Sequence, residues 1–259
     1  MKHLTAFFFS FLFVFSGLSQ ELAQYKDIIN LLDDDYQTIE ANLAELKTTD
    51  LSHLWLNENS RRPLGFIGTN YLRLHIKFLS VAKNPDDSLE YLVEGKSMVG
   101  DNICAFQGTL KIKASSFIKS LESPEGNEGI LAGEYTFSED PQSKNAGIFT
   151  GRFATYWFQD VNSNIQYNDL WSGAASYNNN QFAETWREYG KERHLKARWG
   201  DGRIPLSGDL DVGTSEFGPA EKYASNGWIS FVTTRGASPE RMKIDAARKA
   251  ENREWWKQD

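Results

Sequence analysis

Tyr71-Leu72-Arg73-Leu74-His75-Ile76-Lys77-Phe78 alternates apolar and polar side chains along its length. Leu72, Leu74, Ile76 and Phe78 fall on one face, and Arg73, His75 and Lys77 on the other. A period of two belongs to a pleated strand, so the stretch predicts an antiparallel strand with one face on a core and one toward water. In that reading the Arg–His–Lys face is a solvated sheet surface.

The same texture extends downstream. Asn84-Pro85-Asp86-Asp87 makes a turn, and Leu89 to Val99 and Ile103 to Ile112 read as two further strands joined at Gly100-Asp101-Asn102. Ile130 to Phe158 continues in kind around a polar turn from Asp140 to Asn145, and Gln181 to Arg187 resembles another strand. Glycines recur inside these runs, as in Phe106-Gln107-Gly108-Thr109-Leu110 and Gly147-Ile148-Phe149-Thr150-Gly151. Strand glycines mark sharp bends or close backbone approach, as a coiled sheet or closed barrel requires. No helical pattern alternates with the strands, which argues against a parallel βαβ plan. The predicted fold is mainly β: an antiparallel barrel-like domain or a strongly coiled sandwich, with an N-terminal helical segment and a C-terminal helix.

The flanks divide the chain further. Lys2 and His3 precede an apolar run from Leu4 to Phe15, and Gly17 and Ser19 supply small residues before Gln20. This is the pattern of a cleavable signal peptide over residues 1–19. Residues 20–60 form a helical preface, in which Leu22, Tyr25, Ile28, Ile29 and Leu32 recur at helical spacing and Tyr36, Ile39, Leu43 and Leu46 continue the pattern. Residues 61–237 are the β domain. Within it Arg198-Trp199-Gly200-Asp201-Gly202-Arg203-Ile204-Pro205 reads as a loop with tight turns. Residues 238–259 form a charged helix capped by Ser238, with Pro239 in its first position, that packs weakly along the domain or ends in an exposed tail.

Cleavage removes Lys2 and leaves 27 basic against 35 acidic side chains, a formal charge of −8. That balance opposes a role built on nucleic-acid phosphates or anionic lipid. The expected product is periplasmic or secreted, with no membrane span after cleavage. The single cysteine, Cys104, sits in the apolar run Ile103-Cys104-Ala105-Phe106 and predicts a buried structural thiol.

Candidate chemistry gathers in the second half. Asp209, Asp211 and Glu216 alternate with small residues, the arrangement carboxylates need around a hard cation, so Ca²⁺ is the one ion they would suit; otherwise no cofactor is expected. Capping of loop turns is the plainer role for these acids. Asp201, Asp209, Asp211, Glu184 and Glu216 also supply candidates for a two-carboxylate hydrolase acting on glycans. Gly-x-Ser-x-Gly, His-Glu-x-x-His, phosphate-binding glycine loops and Cys-x-x-Cys are all missing. Aromatics are the positive signal: Trp157, Trp171, Trp186 and Trp199, with Asp201 and Arg203, combine ring faces with polar groups as a ligand site does. The competing role for these rings is to fill the core.

Gly65-Phe66-Ile67-Gly68-Thr69-Asn70-Tyr71, Val93-Glu94-Gly95-Lys96-Ser97 and Asn102-Ile103-Cys104-Ala105-Phe106-Gln107-Gly108 carry a resemblance, together with Trp199 to Pro205 and Gly208 to Gly213. Over residues 60 to 230 the chain resembles a group of exported proteins of unknown function from Bacteroidetes-type bacteria. The resemblance implies an envelope or secreted setting and carries no catalytic residues across. The leading functional expectation is a non-enzymatic binding protein for a small apolar molecule, a glycan or an envelope protein. A secreted glycan hydrolase and an envelope interaction or structural protein are the alternatives.

Overall fold

The alternating stretch lies inside a strand, Leu72–Lys83, that turns Leu74 and Ile76 into a buried core. The computed structural model describes residues 22–29, 37–40, 43–56, 62–119, 127–170, 172–174, 176–235 and 241–257. The signal-peptide reading of residues 1–19 therefore lies outside the described residues. In chain order the strands are β1 (Gln37–Glu40), β2 (Leu64–Ile67), β3 (Leu72–Lys83), β4 (Glu90–Val99) and β5 (Asn102–Lys119). They continue with β6 (Glu128–Glu139), β7 (Gly147–Gln159), β8 (Ile165–Tyr167), β9 (Asn179–Glu188) and β10 (His194–Asp201).

Eight of them close a ring. β2 through β7 pair in sequence, β7 pairs with β9, β9 with β10, and β10 returns to β2, every pairing antiparallel. β1 extends the edge of β5, and β8 extends that of β7. The sheet is thus a closed barrel and not a split sandwich. Two strand glycines permit the coiling: a Cβ at Gly108 would stand 1.9 Å from the Thr136 carbonyl oxygen, and one at Gly133 would stand 2.1 Å from that of Lys111.

Aromatic rings fill the interior. Phe182 stacks on Trp199 with centroids 4.9 Å apart, Phe106 stacks on Phe137 at 5.1 Å, and Tyr135 meets Trp199 edge-on at 5.3 Å. An eight-stranded barrel is just wide enough for side chains to occupy its lumen, and here they do.

One mouth is closed by the preface. Leu46, Leu51, Leu54 and Trp55 join the interior cluster. Polar bonds anchor them: Tyr91 Oη accepts from the Leu51 amide at 3.0 Å, Lys83 Nζ donates to the Leu46 carbonyl at 3.1 Å, and Trp55 Nε1 donates to Thr155 Oγ1 at 3.0 Å. Upstream, Leu22, Tyr25, Ile28 and Ile29 are buried against Ala114, Ile130, Ala132, Ala154 and Ala183. The preface is helical in part, with a short helix α1 (Leu43–Leu46) and single turns at Ala23–Tyr25 and Ser52–Leu54. Its Gln37–Glu40 stretch, read as helical from spacing, instead pairs with β5. Four residues cannot nucleate a stable helix alone, and the β5 edge offers backbone partners at once.

At the C-terminus helix α2 (Ile229–Arg235) and helix α3 (Arg241–Glu251) follow the first of the two arrangements expected of the charged tail: they pack along the domain, Glu251 of α3 bonding Arg73 of β3, while most of α3 stays exposed. The solvated reading of the Arg–His–Lys face is what changes. Trp228 and Trp255 are buried, Arg73 bonds Glu251, and Lys77 Nζ stands 5.3 Å from the Trp256 ring centroid. The Arg–His–Lys face is consequently covered. Burial, with Arg73 beside it, drives His75 down to about 3, so its ring is neutral against Trp255. The proposed caps Ser238 and Pro239 lie outside the described residues.

Candidate functional site

Strand β2 is four residues long, whereas its neighbour β3 has twelve. β2 pairs with β10 along its whole length, but with β3 only at Phe66–Arg73 and Ile67–Leu72. Before Leu64, among the described residues, no ladder joins β3 to β10, and a slit opens in the barrel wall beside the mouth plug. Ile76 and Phe78 of β3, Asn180 and Phe182 of β9, and Trp199 and Asp201 of β10 line a cavity of about 50 Å³ there. Trp55, Leu56 and Pro63 cover it, and Lys77 completes the rim.

Asp201 is the charged centre of this pocket and is 2% exposed. It lies where β10 ends and Gly202 turns the chain with a positive φ of 74°. Tyr167 Oη donates to Asp201 Oδ2 at 2.8 Å, and Asn180 Nδ2 donates to the same oxygen at 3.1 Å. Neither bond reaches Oδ1. Burial pushes the carboxyl up to about 7, against which the two hydrogen bonds act only partly. Near neutral pH the group therefore exists in both protonation states.

A chain of donors ties this carboxylate to the plug. Trp55 Nε1 donates to Thr155 Oγ1, Thr155 Oγ1 donates to Asn180 Oδ1 at 2.9 Å, and Asn180 donates to Asp201. Asn180 also donates to the Leu54 carbonyl at 3.1 Å. On the other side Tyr177 Oη lies 3.0 Å from Tyr167 Oη. Burial raises both phenols, so they stay neutral donors. The neighbouring amides brace the network: Asn179 holds both the amide and carbonyl of Tyr156, and Gln181 bonds the Arg203 carbonyl.

Of the six residues expected at a ligand site, Trp199 and Asp201 meet in this pocket. Trp157 is buried against Phe117 at 5.2 Å, beneath an open groove of about 560 Å³ between the plug and β8. The groove's polar rim is engaged in local turns, with Asp50 accepting from Ser52 and Asn164 bonding Asp160. Trp186 lies at the opposite end of the barrel and donates to Glu139 Oε2 at 2.9 Å. Arg203 pairs with Asp211 at 2.6 Å and donates to the Gly213 carbonyl, bracing the following loop. Trp171 lies outside the described residues.

The three carboxylates suggested for a cation each have a different partner. Asp209 bonds Lys222 and Tyr223, Asp211 bonds Arg203 and the amides of Gly213 and Gly218, and Glu216 pairs with Arg235. Among the described residues no group of three His, Cys, Asp or Glu side chains could hold a metal ion. Glu184 bonds Arg152 on the outer surface, and among the described residues Asp201 is the single carboxylate on its pocket. Among the described residues the two-carboxylate arrangement of a glycan hydrolase thus has no pair in this cavity.

Glu139 is a second buried acid, which sequence reading did not single out. It accepts from Ser97, from the Gly147 amide at 2.8 Å and from Trp186, and burial raises its pKa. Both of its oxygens are thus occupied by protein donors, whereas Asp201 is bonded at Oδ2 alone. Among the described residues no helix is long and apolar enough to cross a membrane. Comparison of the chain with protein-family models, with curated proteins and with solved structures finds no match.

Proposed function

We propose that this chain is a non-enzymatic binding protein, periplasmic or secreted, that takes a small ligand at the Asp201 pocket in the barrel wall. One observation carries the reading: a fully buried carboxylate, bonded through one oxygen only, stands on a cavity otherwise walled mainly by aromatic and aliphatic side chains. Keeping such a group dry costs free energy unless a partner meets it. Ligand sites combine an apolar lining with a few placed polar groups, and barrel mouths are common hosts for them. A large apolar ligand inside the barrel has no part in this reading, because rings occupy the lumen. The extracytoplasmic setting rests on the Leu4 to Ser19 pattern.

The test is a panel of neutral, anionic and cationic fragments, followed through the indole N–H resonances of Trp55, Trp199 and Trp228. A ligand should shift Trp55 and Trp199, leave Trp228 in place, and lose its effect in Ile76→Phe, which fills the cavity. A panel that moves neither pocket tryptophan would overturn the proposal.

A further inference from the structure

We infer that the Asp201 pocket takes a small alkylammonium ion, seated between the carboxylate and the rings of Trp55, Phe78, Phe182 and Trp199. The inference rests on the binding reading above and adds the class of ligand. Four aromatic rings and one carboxylate line a single cavity. Ring faces attract a cation through their quadrupole within about 6 Å, and the attraction strengthens when water is excluded. The carboxylate supplies the charge, and Oδ1 is the oxygen that the Tyr167 and Asn180 bonds leave open.

The pocket selects against other classes. An anion would meet the carboxylate. Among the described residues, a neutral polar ligand would find few hydrogen-bonding side chains on the wall, chiefly Asn180 and Asp201. Among the described residues no arginine lines the cavity, and the one lysine on its rim, Lys77, places its ammonium over Trp256 on the outer surface. About 50 Å³ holds a few waters or an ammonium head with methyl groups, and excludes a sugar ring.

The chemistry of the empty pocket fits the same ligand. The groups facing Asp201 are the phenols of Tyr167 and Tyr177, both neutral, and the Asn180 amide; Lys77 is the nearest cation on the lining. Burial keeps part of the carboxyl protonated near neutral pH. An arriving cation favours the ionised form, so binding releases a proton to solvent and affinity rises with pH.

The experiment titrates the full chain with methylammonium and tetramethylammonium chloride, with tert-butanol and sodium acetate as neutral and anionic controls. The ammonium ions should shift the Trp55 and Trp199 indoles, and at least one should bind about tenfold more tightly near pH 8 than near pH 5.5. Calorimetry in two buffers of different ionisation enthalpy should register proton release. Asp201→Asn should weaken binding about tenfold or more while keeping the wild-type tryptophan spectrum. If tert-butanol binds as well as the ammonium ions, the pocket binds ligands but the assigned class is wrong. If no fragment binds, both readings fall. Should Asp201→Asn not fold, the wild type alone decides: an affinity independent of pH overturns the inference.

Discussion

Arg73 and Glu251, 178 residues apart in the chain, form a two-point ion pair, with Nη1 2.7 Å from Oε1 and Nη2 2.6 Å from Oε2. The guanidinium also lies 5.0 Å from the Trp228 ring centroid, and Glu251 accepts from Ser230. The pair is one of the ties between the C-terminal segment and β3, beside the buried rings of Trp228 and Trp255. Removing one partner of a buried pair leaves the other uncompensated, at a cost of about 3 kcal/mol or more. Glu251→Ala should lower the urea midpoint accordingly and speed amide exchange in α2 and α3. A midpoint unchanged from wild type would mean that the helices are held by their apolar contacts alone.

Asp201 sets a second expectation, in stability against pH. Its pKa rises from 3.8 in the unfolded chain to about 7 in the fold. The native state therefore binds the proton more tightly, and stability falls as pH rises until the folded pKa is passed. From about pH 5 to pH 7 the loss is about 2 kcal/mol. Glu139, also raised by burial, acts in the same direction. Glu251 acts oppositely: burial raises it, but its bonds to Arg73 outweigh this and leave it low, so its contribution fades only on the acid side. Denaturation midpoints of wild type and Asp201→Asn between about pH 5 and pH 8 check the claim. The variant should show the shallower slope, and parallel slopes would contradict it.

Trp199 is a core residue as well as a pocket wall. It touches Phe182, Tyr135, Phe137 and Phe149 and is buried. Trp199→Ala should cost about 3–5 kcal/mol through the cavity it leaves. An exposed binding tryptophan would cost about 0.5 kcal/mol or less, so thermal unfolding separates the two roles.

Calcium provides a further check. Since Asp209, Asp211 and Glu216 bond Lys222, Arg203 and Arg235 respectively, the melting temperature should not respond to millimolar Ca²⁺. A rise that disappears in Asp211→Asn would restore the cation site.

Cys104 should resist thiol reagents in the native state. The residue is buried, and burial raises its thiol pKa, which lowers the reactive thiolate fraction. Labelling should become fast only in denaturant; rapid native labelling would show the β4–β5 hairpin opening locally.

Much of the barrel was legible in the sequence because strands with one buried face announce themselves by alternation, as Leu74 and Ile76 do. Strand β10 was not among the strands read from the sequence, and its second half was read as a loop. Leu195, Ala197 and Trp199 alternate correctly, but Gly200-Asp201-Gly202 reads as turn chemistry, and only the partners Leu64 and Asn179 show where the strand stops. The Arg–His–Lys face was misread because its cover comes from Trp228, Glu251, Trp255 and Trp256, and local periodicity carries no knowledge of a distant segment. Trp199 and Asp201 were legible as a pair by their chemistry, a ring beside a carboxylate, although the strand that carries both was read as a loop. Asn180 and Tyr167 were not, since their roles depend on register across the β9–β10 and β7–β8 pairings.

The ring closes where β10 meets β2, through contacts such as Ala197 with Ile67, more than a hundred residues apart. That seam brings together the first and the last strand of the ring, so it carries the largest loop-closure entropy and the least local encouragement. The slit that holds Asp201 lies on the same seam. The pocket is therefore built where closing the ring asks most of the chain. Occupancy of that site would act as a clasp on the circle, converting a ligand into a measure of whether the barrel is shut.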